Sequence, residues 1–212
     1  MQWTLVIPLK PLSRAKSRLS DTAGDGVRPG LALAFAQDTV AAALSCTAVA
    51  DVVVVTDDER AARELTALGA RILPDTPASG LNAALAHGAA AVREMRPRTP
   101  VAALNADLPA LRPAELAAVL GAAGEFPRAF LADAAGVGTT LLAAAGDHEL
   151  TPAFGLDSRN RHRASGAAEL PLAEVDSVRQ DVDTGHDLRA ALALGVGPYT
   201  AALSAGLLIP ES

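Results

Sequence analysis

"DVVVVT", residues 51–56, sets four valines in a row between an aspartate and a threonine. A strand with one wet face alternates apolar and polar residues, so an unbroken apolar run fits a strand covered on both faces, as in the parallel sheets of α/β proteins. The flanking sequence agrees. "TLVIP" (4–8), "ARIL" (70–73), "VAALNA" (101–106), "AFLAD" (129–133) and "TTLLAA" (139–144) are further short strand-forming runs, and "SVRQDV" (177–182) reads as a seventh. Between them the apolar spacing turns helical, near 28–46, 58–69, 80–96, 113–123 and 185–194. Strands alternating with helices specify strand–helix–strand units around a mainly parallel sheet, an α/β sandwich.

A chain of 212 residues is most simply one domain, 1–212, able to bury roughly 70% of its unfolded surface. No period repeats and no low-complexity linker divides it. The stretch 145–170 departs from the alternation: it is polar, carries Pro and Gly, and reads as an insertion over the sheet edge. A formal net charge of -6 argues against nucleic acid and anionic membrane as partners, since both need a broad positive field. The first apolar run breaks at Pro8, too early for a secretory signal, and no other run approaches the ~20 residues of a membrane span. The lone Cys46 has no partner for an internal disulfide, so a soluble protein of the reducing cytoplasm is expected. One cysteine and four scattered histidines do not make a zinc site.

Within that acidic chain, "VIPLKPLSRAKSRLS" (6–20) gathers Lys10, Arg14, Lys16 and Arg18, including both of the chain's lysines. The stretch follows the first strand, where open α/β sheets bind ligands. It lacks the Gly-Lys-Ser/Thr of a P-loop and the G-x-G-x-x-G of a dinucleotide site. Phosphates bound here need side-chain cations in place of backbone amides; the alternative is a solvated basic loop. In "LNADLPAL" (104–111) a strand end followed by a turn at Pro109 delivers Asp107 to the same edge. There it suits a hard Mg²⁺ ion shared with phosphate oxygens, or serves as a turn or cap residue.

In "RQDVDTGHDL" (179–188), Asp181 and Asp183 leave one face of an extended segment, while Thr184 and Asp187 fit the start of a helix. A last cluster joins "GVGTTLL" (136–142) to "FGLDSRNRH" (154–162), with small hydroxyl and backbone donors beside Arg159, Arg161 and His162. Such a set admits a compact anion, and is equally a turn followed by a helix cap.

In this order and spacing, with "VVVVTDD" and "LNAAL", these stretches resemble the 2-phospho-L-lactate or phosphoenolpyruvate guanylyltransferases (CofC/FbiD) of deazaflavin coenzyme F-420 biosynthesis. That group belongs to the nucleotidyltransferases of glycosyltransferase-A-like fold, so the resemblance implies a single-domain, Rossmann-like three-layer sandwich with a mixed, mainly parallel sheet. It implies transfer of GMP from GTP to the phosphate of a three-carbon acid, with release of pyrophosphate. Lys10, Arg14, Lys16 and Arg18 then hold the GTP phosphates, while Thr56, Asp57 and Asn82 are ribose or guanine contacts by their position at strand ends. Asp107 and Asp183, helped by Asp181, bind Mg²⁺, and Lys16, Asp107 and Asp183 are the catalytic set. Thr140, chosen over Thr139 from spacing, binds the acceptor with Gly155 and Ser158.

The usual "DTP" of the last motif here reads Asp183, Thr184, Gly185, which loosens the turn and keeps the carboxylates. The arginine-over-lysine, alanine-rich composition suggests a high-GC bacterium, for which the resemblance implies phosphoenolpyruvate as acceptor, ahead of 2-phospho-L-lactate and 3-phosphoglycerate; the resemblance also implies transient contact with the downstream deazaflavin-accepting transferase. Two further classes share parts of the pattern. A molybdenum-cofactor-type nucleotidyltransferase has the late aspartates but opens with a glycine-rich phosphate loop. A non-catalytic nucleotide-binding regulatory domain binds GTP without releasing pyrophosphate.

Overall fold

The valine run is the body of strand β2 (Val49–Val55), which lies between β1 (Trp3–Pro8) and β3 (Arg71–Leu73) and runs parallel to both. A computed structural model describes residues 1–14, 16, 19–76 and 78–205, with the backbone alone at 20–25. Among these residues seven strands make one sheet in the order β3-β2-β1-β4-β6-β5-β7, completed by β4 (Val101–Leu104), β5 (Arg128–Ala132), β6 (Thr139–Ala144) and β7 (Ala168–Glu169). β6 is antiparallel to both β4 and β5, and the other pairings are parallel. Two consequences position the site. The chain winds outward from β1 to β3 and then returns to the other side of β1 as β4, which makes β1/β4 a switch point where α/β sheets open a crevice. Because β6 is reversed, its first residue stands at the edge where β1, β4 and β5 end.

Side-chain alternation explains the layers. Leu5, Ile7, Val52 and Val54 pack on α1 (Ser20–Leu44), α2 (Glu59–Leu68) and α4 (Pro113–Ala123) through residues such as Val40, Leu65 and Leu116. Val6, Val53 and Val55 on the other face meet Leu85 and Val92 of α3 (Leu81–Met95). α3 sits close: a Cβ on Gly88 would stand 2.5 Å from Val6 Cγ1, so only glycine fits there. Four further helices follow: α5 (Ser158–Ala164), α6 (Asp176–Arg179), α7 (Gly185–Leu194) and α8 (Pro198–Ser204). α8 is docked by the buried Asp38 of α1, which accepts hydrogen bonds from the amides of Tyr199 at 3.1 Å and Thr200 at 2.8 Å.

The seventh strand expected at 177–182 is not formed. Residues 176–179 are the helix α6 instead, because Glu115 of α4 accepts hydrogen bonds from both the amide and the hydroxyl of Ser177 and folds the chain back on itself. The last strand is β7, two residues inside the 145–170 stretch that extend the sheet beside β5. The same stretch holds α5. No helix among the described residues is long and apolar enough to cross a membrane.

Candidate active site

Along the shared strand edge runs a cleft of ≈ 640 Å³. Its basic lip is the loop after β1, which supplies Lys10, Arg14 and Lys16. That loop is pinned where Leu12 N donates to Asp58 Oδ2 at 2.8 Å, while Asp58 Oδ1 caps α2 by accepting from Ala61 N at 3.0 Å. Burial works against the Asp58 charge, but these amides prevail and hold its carboxyl below the usual range.

The acidic floor comes from two loops that brace each other. After β4, Asn105 N donates to Thr140 O at 3.0 Å, and the Thr39 hydroxyl of α1 accepts from Leu108 N at 3.0 Å, its one proton lying between Phe35 O at 2.7 Å and Ala106 O at 3.2 Å. Asp107 is thereby fixed, and its carbonyl accepts from Val182 N at 3.1 Å. That bond sets Asp181 and Asp183 on either side of buried Val182, facing Asp107. The next two residues start α7 with a capping box between Thr184 and Asp187, as the sequence pattern indicates.

Lys16 reaches across from the basic lip. Its ammonium pairs with Asp107 Oδ2 and lies 3.0 Å from Asp183 Oδ1. Burial disfavours its charge, yet the two carboxylates outweigh burial and raise its pKa. Among the described residues Asp181 makes no ion pair; it accepts from Asn105 Nδ2 at 3.3 Å. Burial, then the charges of Asp107, Asp183 and Asp133, push its carboxyl up to about 8.

This arrangement fits a divalent ion. The ammonium marks a point on which two carboxylate oxygens already converge, and the surrounding carboxylates exceed the one charge that Lys16 brings. Among the described residues no three acidic or imidazole groups converge as a ready cage. A hard Mg²⁺ needs none, since one or two carboxylates suffice when phosphate oxygens and water complete the octahedron.

The far wall is built from two segments. The β5–β6 hairpin is held by Asp133, whose Oδ1 accepts from Val137 N at 2.9 Å and Oδ2 from Gly138 N at 2.8 Å. Opposite it lies 154–158, with Gly155, Leu156 and Ser158 on the cleft. Buried His162 joins the two: Ala153 N donates to Nε2 at 3.0 Å, so the proton is on Nδ1 and is donated to Thr139 Oγ1 at 2.9 Å. Thr139 keeps its own hydroxyl proton to donate elsewhere.

Lys10, Arg14, Lys16, Asp107, Asp181, Asp183, Gly155 and Ser158 thus share one cleft. Arg18 lies outside the described residues. Thr140 is not on the cleft wall: Thr139 opens onto the cleft, whereas Thr140 is fully buried, its hydroxyl without a hydrogen-bond partner among the described residues. Thr56, Asp57 and Asn82 are also not among the lining residues, and each is engaged within the fold. Thr56 Oγ1 accepts from Asp58 N at 3.2 Å, Asp57 Oδ1 accepts from Asp75 N at 2.9 Å, and Asn82 binds the backbone of Phe154. Arg159 and Arg161 are braces as well, donating to Gly136 O and Phe154 O.

Sequence reasoning passed over Asp133 and Asn105. The rule that found Asp107, a polar residue just past the carboxyl end of a strand, applies to both.

Against solved structures the chain superposes on a nucleotidyl transferase from Methanothermobacter thermautotroptrophicus with a TM-score of 0.63, at 22% identity, covering 91% of this chain and 97% of that one. The fold is that of the nucleotidyltransferases, and the same mixed, mainly parallel sheet superposes on a "putative nucleotide-diphospho-sugar transferase" from Desulfovibrio desulfuricans with a TM-score of 0.69, at 16% identity, covering 97% of this chain and 95% of that one. Within that class the chain belongs to the family "Guanylyl transferase CofC like", which it matches over residues 3–202. It is 77% identical over 209 residues to the phosphoenolpyruvate guanylyltransferase of Streptomyces coelicolor, covering 99% of each chain. It is 62% identical to that of Thermomonospora curvata over 97% of its own length and 90% of the relative's.

Proposed function

We propose that this protein transfers GMP from GTP to phosphoenolpyruvate, giving enolpyruvoyl-2-diphospho-5'-guanosine and pyrophosphate, as a step of coenzyme F-420 biosynthesis. The observation that carries this reading is the division of one cleft into a cationic lip, a carboxylate floor and a wall of small donors. Each part answers one element of the reaction, and the names of the close relatives support the acceptor.

An oxygen of the acceptor phosphate attacks the α-phosphorus of GTP, a new P–O bond forms, and the bond to the bridging oxygen breaks with its electron pair leaving on pyrophosphate. The nucleophile is already anionic and needs no strong base. The obstacle is repulsion among phosphates, so positioning and charge neutralisation carry the rate. Lys10 and Arg14 receive the departing pyrophosphate charge, Arg as a forked donor and Lys as a point charge. Lys16 exchanges its carboxylate partners for phosphate oxygens. Asp107 and Asp183, with Asp181 beside them, would hold Mg²⁺, which when bound would supply charge neutralisation to the phosphates. Thr139, Gly155 and Ser158 orient the acceptor. The cytoplasm is the setting, consistent with a buried, free Cys46.

The test is pyrophosphate release from GTP and Mg²⁺ with phosphoenolpyruvate, 2-phospho-L-lactate or 3-phosphoglycerate supplied separately. A control without acceptor runs alongside, and the downstream deazaflavin-accepting transferase is added to draw product forward. Release with phosphoenolpyruvate above the control supports the reading. Release with another acid moves the acceptor, and GTP binding with no release under any condition refutes transferase activity.

A further inference from the structure

Sequence position alone sets Asn82 against the nucleotide, but both ends of its side-chain amide are occupied by a single residue of the cleft wall. Phe154 N donates to Asn82 Oδ1 at 2.7 Å, and Asn82 Nδ2 donates to Phe154 O at 3.0 Å. One side chain thus closes the pair of bonds that a neighbouring strand would make. Arg161 Nη2 gives Phe154 O a second donor at 3.0 Å, and Ala153 N is tied to His162. These bonds matter because residues 151–157 have no ladder of their own. Three of them stand in the left-handed region, Thr151 at φ 48°, Gly155 at φ 112° and Asp157 at φ 56°. Such backbone persists only where its surroundings dictate it. The bracketed residue, Phe154, directly precedes Gly155, and Gly155 to Ser158 line the cleft.

We propose that Asn82 is a positioning residue for the acceptor: from the first turn of α3 it fixes the Phe154 peptide, and through it sets where Gly155 and Ser158 stand. The inference rests on the guanylyl-transfer reading, which assigns this wall to the three-carbon acid. It assigns Asn82 no contact with GTP.

Steady-state kinetics of Asn82→Ala tests it, with each substrate varied in turn. Removing the bracket raises KM for phosphoenolpyruvate about tenfold or more and leaves KM for GTP within about twofold. Amide exchange of Phe154, read by NMR in the substrate-free protein, accelerates at least about tenfold while core strand amides keep their protection. If Asn82→Ala does not fold, Asn82→Asp serves, because it has the same shape, lacks the donor to Phe154 O, and gives the same split between the two KM values. A KM for GTP that rises as much as that for the acceptor overturns the inference and returns Asn82 to the nucleotide. Unchanged acceptor KM also overturns it. Wild-type protein that turns over GTP with none of the three acids refutes the guanylyl-transfer reading itself and the acceptor role with it, an outcome distinct from an active wild type with an indifferent variant.

Discussion

Lowering the pH should unfold this protein through His162 more than through any exposed group. The ring is fully buried, with Phe130 at 5.7 Å and Phe154 at 5.0 Å between ring centroids. Burial, then the guanidinium charges of Arg128 and Arg161, lower its pKa from 6.5 to about 4. The neutral ring is also the form the hydrogen bonds require, since Nε2 accepts from Ala153 N. Between pH 6.5 and about 4 the unfolded chain therefore binds a proton that the folded chain refuses. Stability is fully present above the unfolded value, falls as pH drops through this window, and the loss is complete below the folded value.

The gap from 6.5 to about 4 amounts to about 3 kcal/mol, of which about 2 kcal/mol is already lost at pH 5. The assay is urea unfolding at about pH 7.5 and about pH 5, where the linear extrapolation returns the free energy at each pH. The signal is the fluorescence of Trp3, the chain's single tryptophan, which is buried. His162→Gln is the reference: its amide oxygen accepts from Ala153 N but does not titrate. Asp38 and Asp181, whose raised pKa values act in the opposite sense, are common to both chains and cancel in the comparison. The variant is the less stable at neutral pH, yet loses about 2 kcal/mol less than the wild type on acidification. Equal losses in the two chains would refute the reasoning.

Asp107→Asn lowers turnover by roughly 10³-fold with circular dichroism unchanged, and a folded variant with near-normal rate removes Asp107 from the chemistry. Lys16→Met tightens Mn²⁺ binding by the nucleotide-free protein, read by electron paramagnetic resonance, because the ammonium paired with Asp107 and Asp183 no longer competes; it also slows turnover, and unchanged Mn²⁺ affinity contradicts the overlap of the two cations. Gly138→Ala places a Cβ 2.3 Å from Asp133 Oδ2, which breaks the hairpin clamp. Urea unfolding should register about 1–3 kcal/mol of lost stability together with a raised acceptor KM, and a loss of stability without the change in KM separates the hairpin from the acceptor wall.

The layers of this protein are legible in its sequence because periodicity reports burial. Four consecutive valines require cover on both faces, and β2 has it. α4 and α7 begin and end where their spacing and caps put them, with Pro113 in the first turn of one and Thr184 capping the other. Lys16 and Asp107 were legible as candidates, because charged residues in the loops that follow parallel strands fall on one edge of the sheet, whereas Asp183 was legible from its alternation with Asp181 ahead of a helix start and reaches that edge through the Val182–Asp107 bond.

What the sequence did not carry is set by contacts between segments far apart along the chain. A helix replaces the strand expected at 177–182 because Glu115, some sixty residues earlier, claims the amide of Ser177. Between Thr139 and Thr140, the choice of the residue that opens onto the cleft follows from the reversed direction of β6 and from the His162 bond, neither of which has a local signal. Asn82 shows the same limit. Its amide carries a donor and an acceptor suited equally to a base or to a peptide, and only the approach of residue 154, seventy-two positions along the chain, made it a brace for the wall. Local pattern fixes which faces are buried and which ends are charged; the pairing of polar groups across the fold depends on which distant segments the closed sheet brings within hydrogen-bond reach.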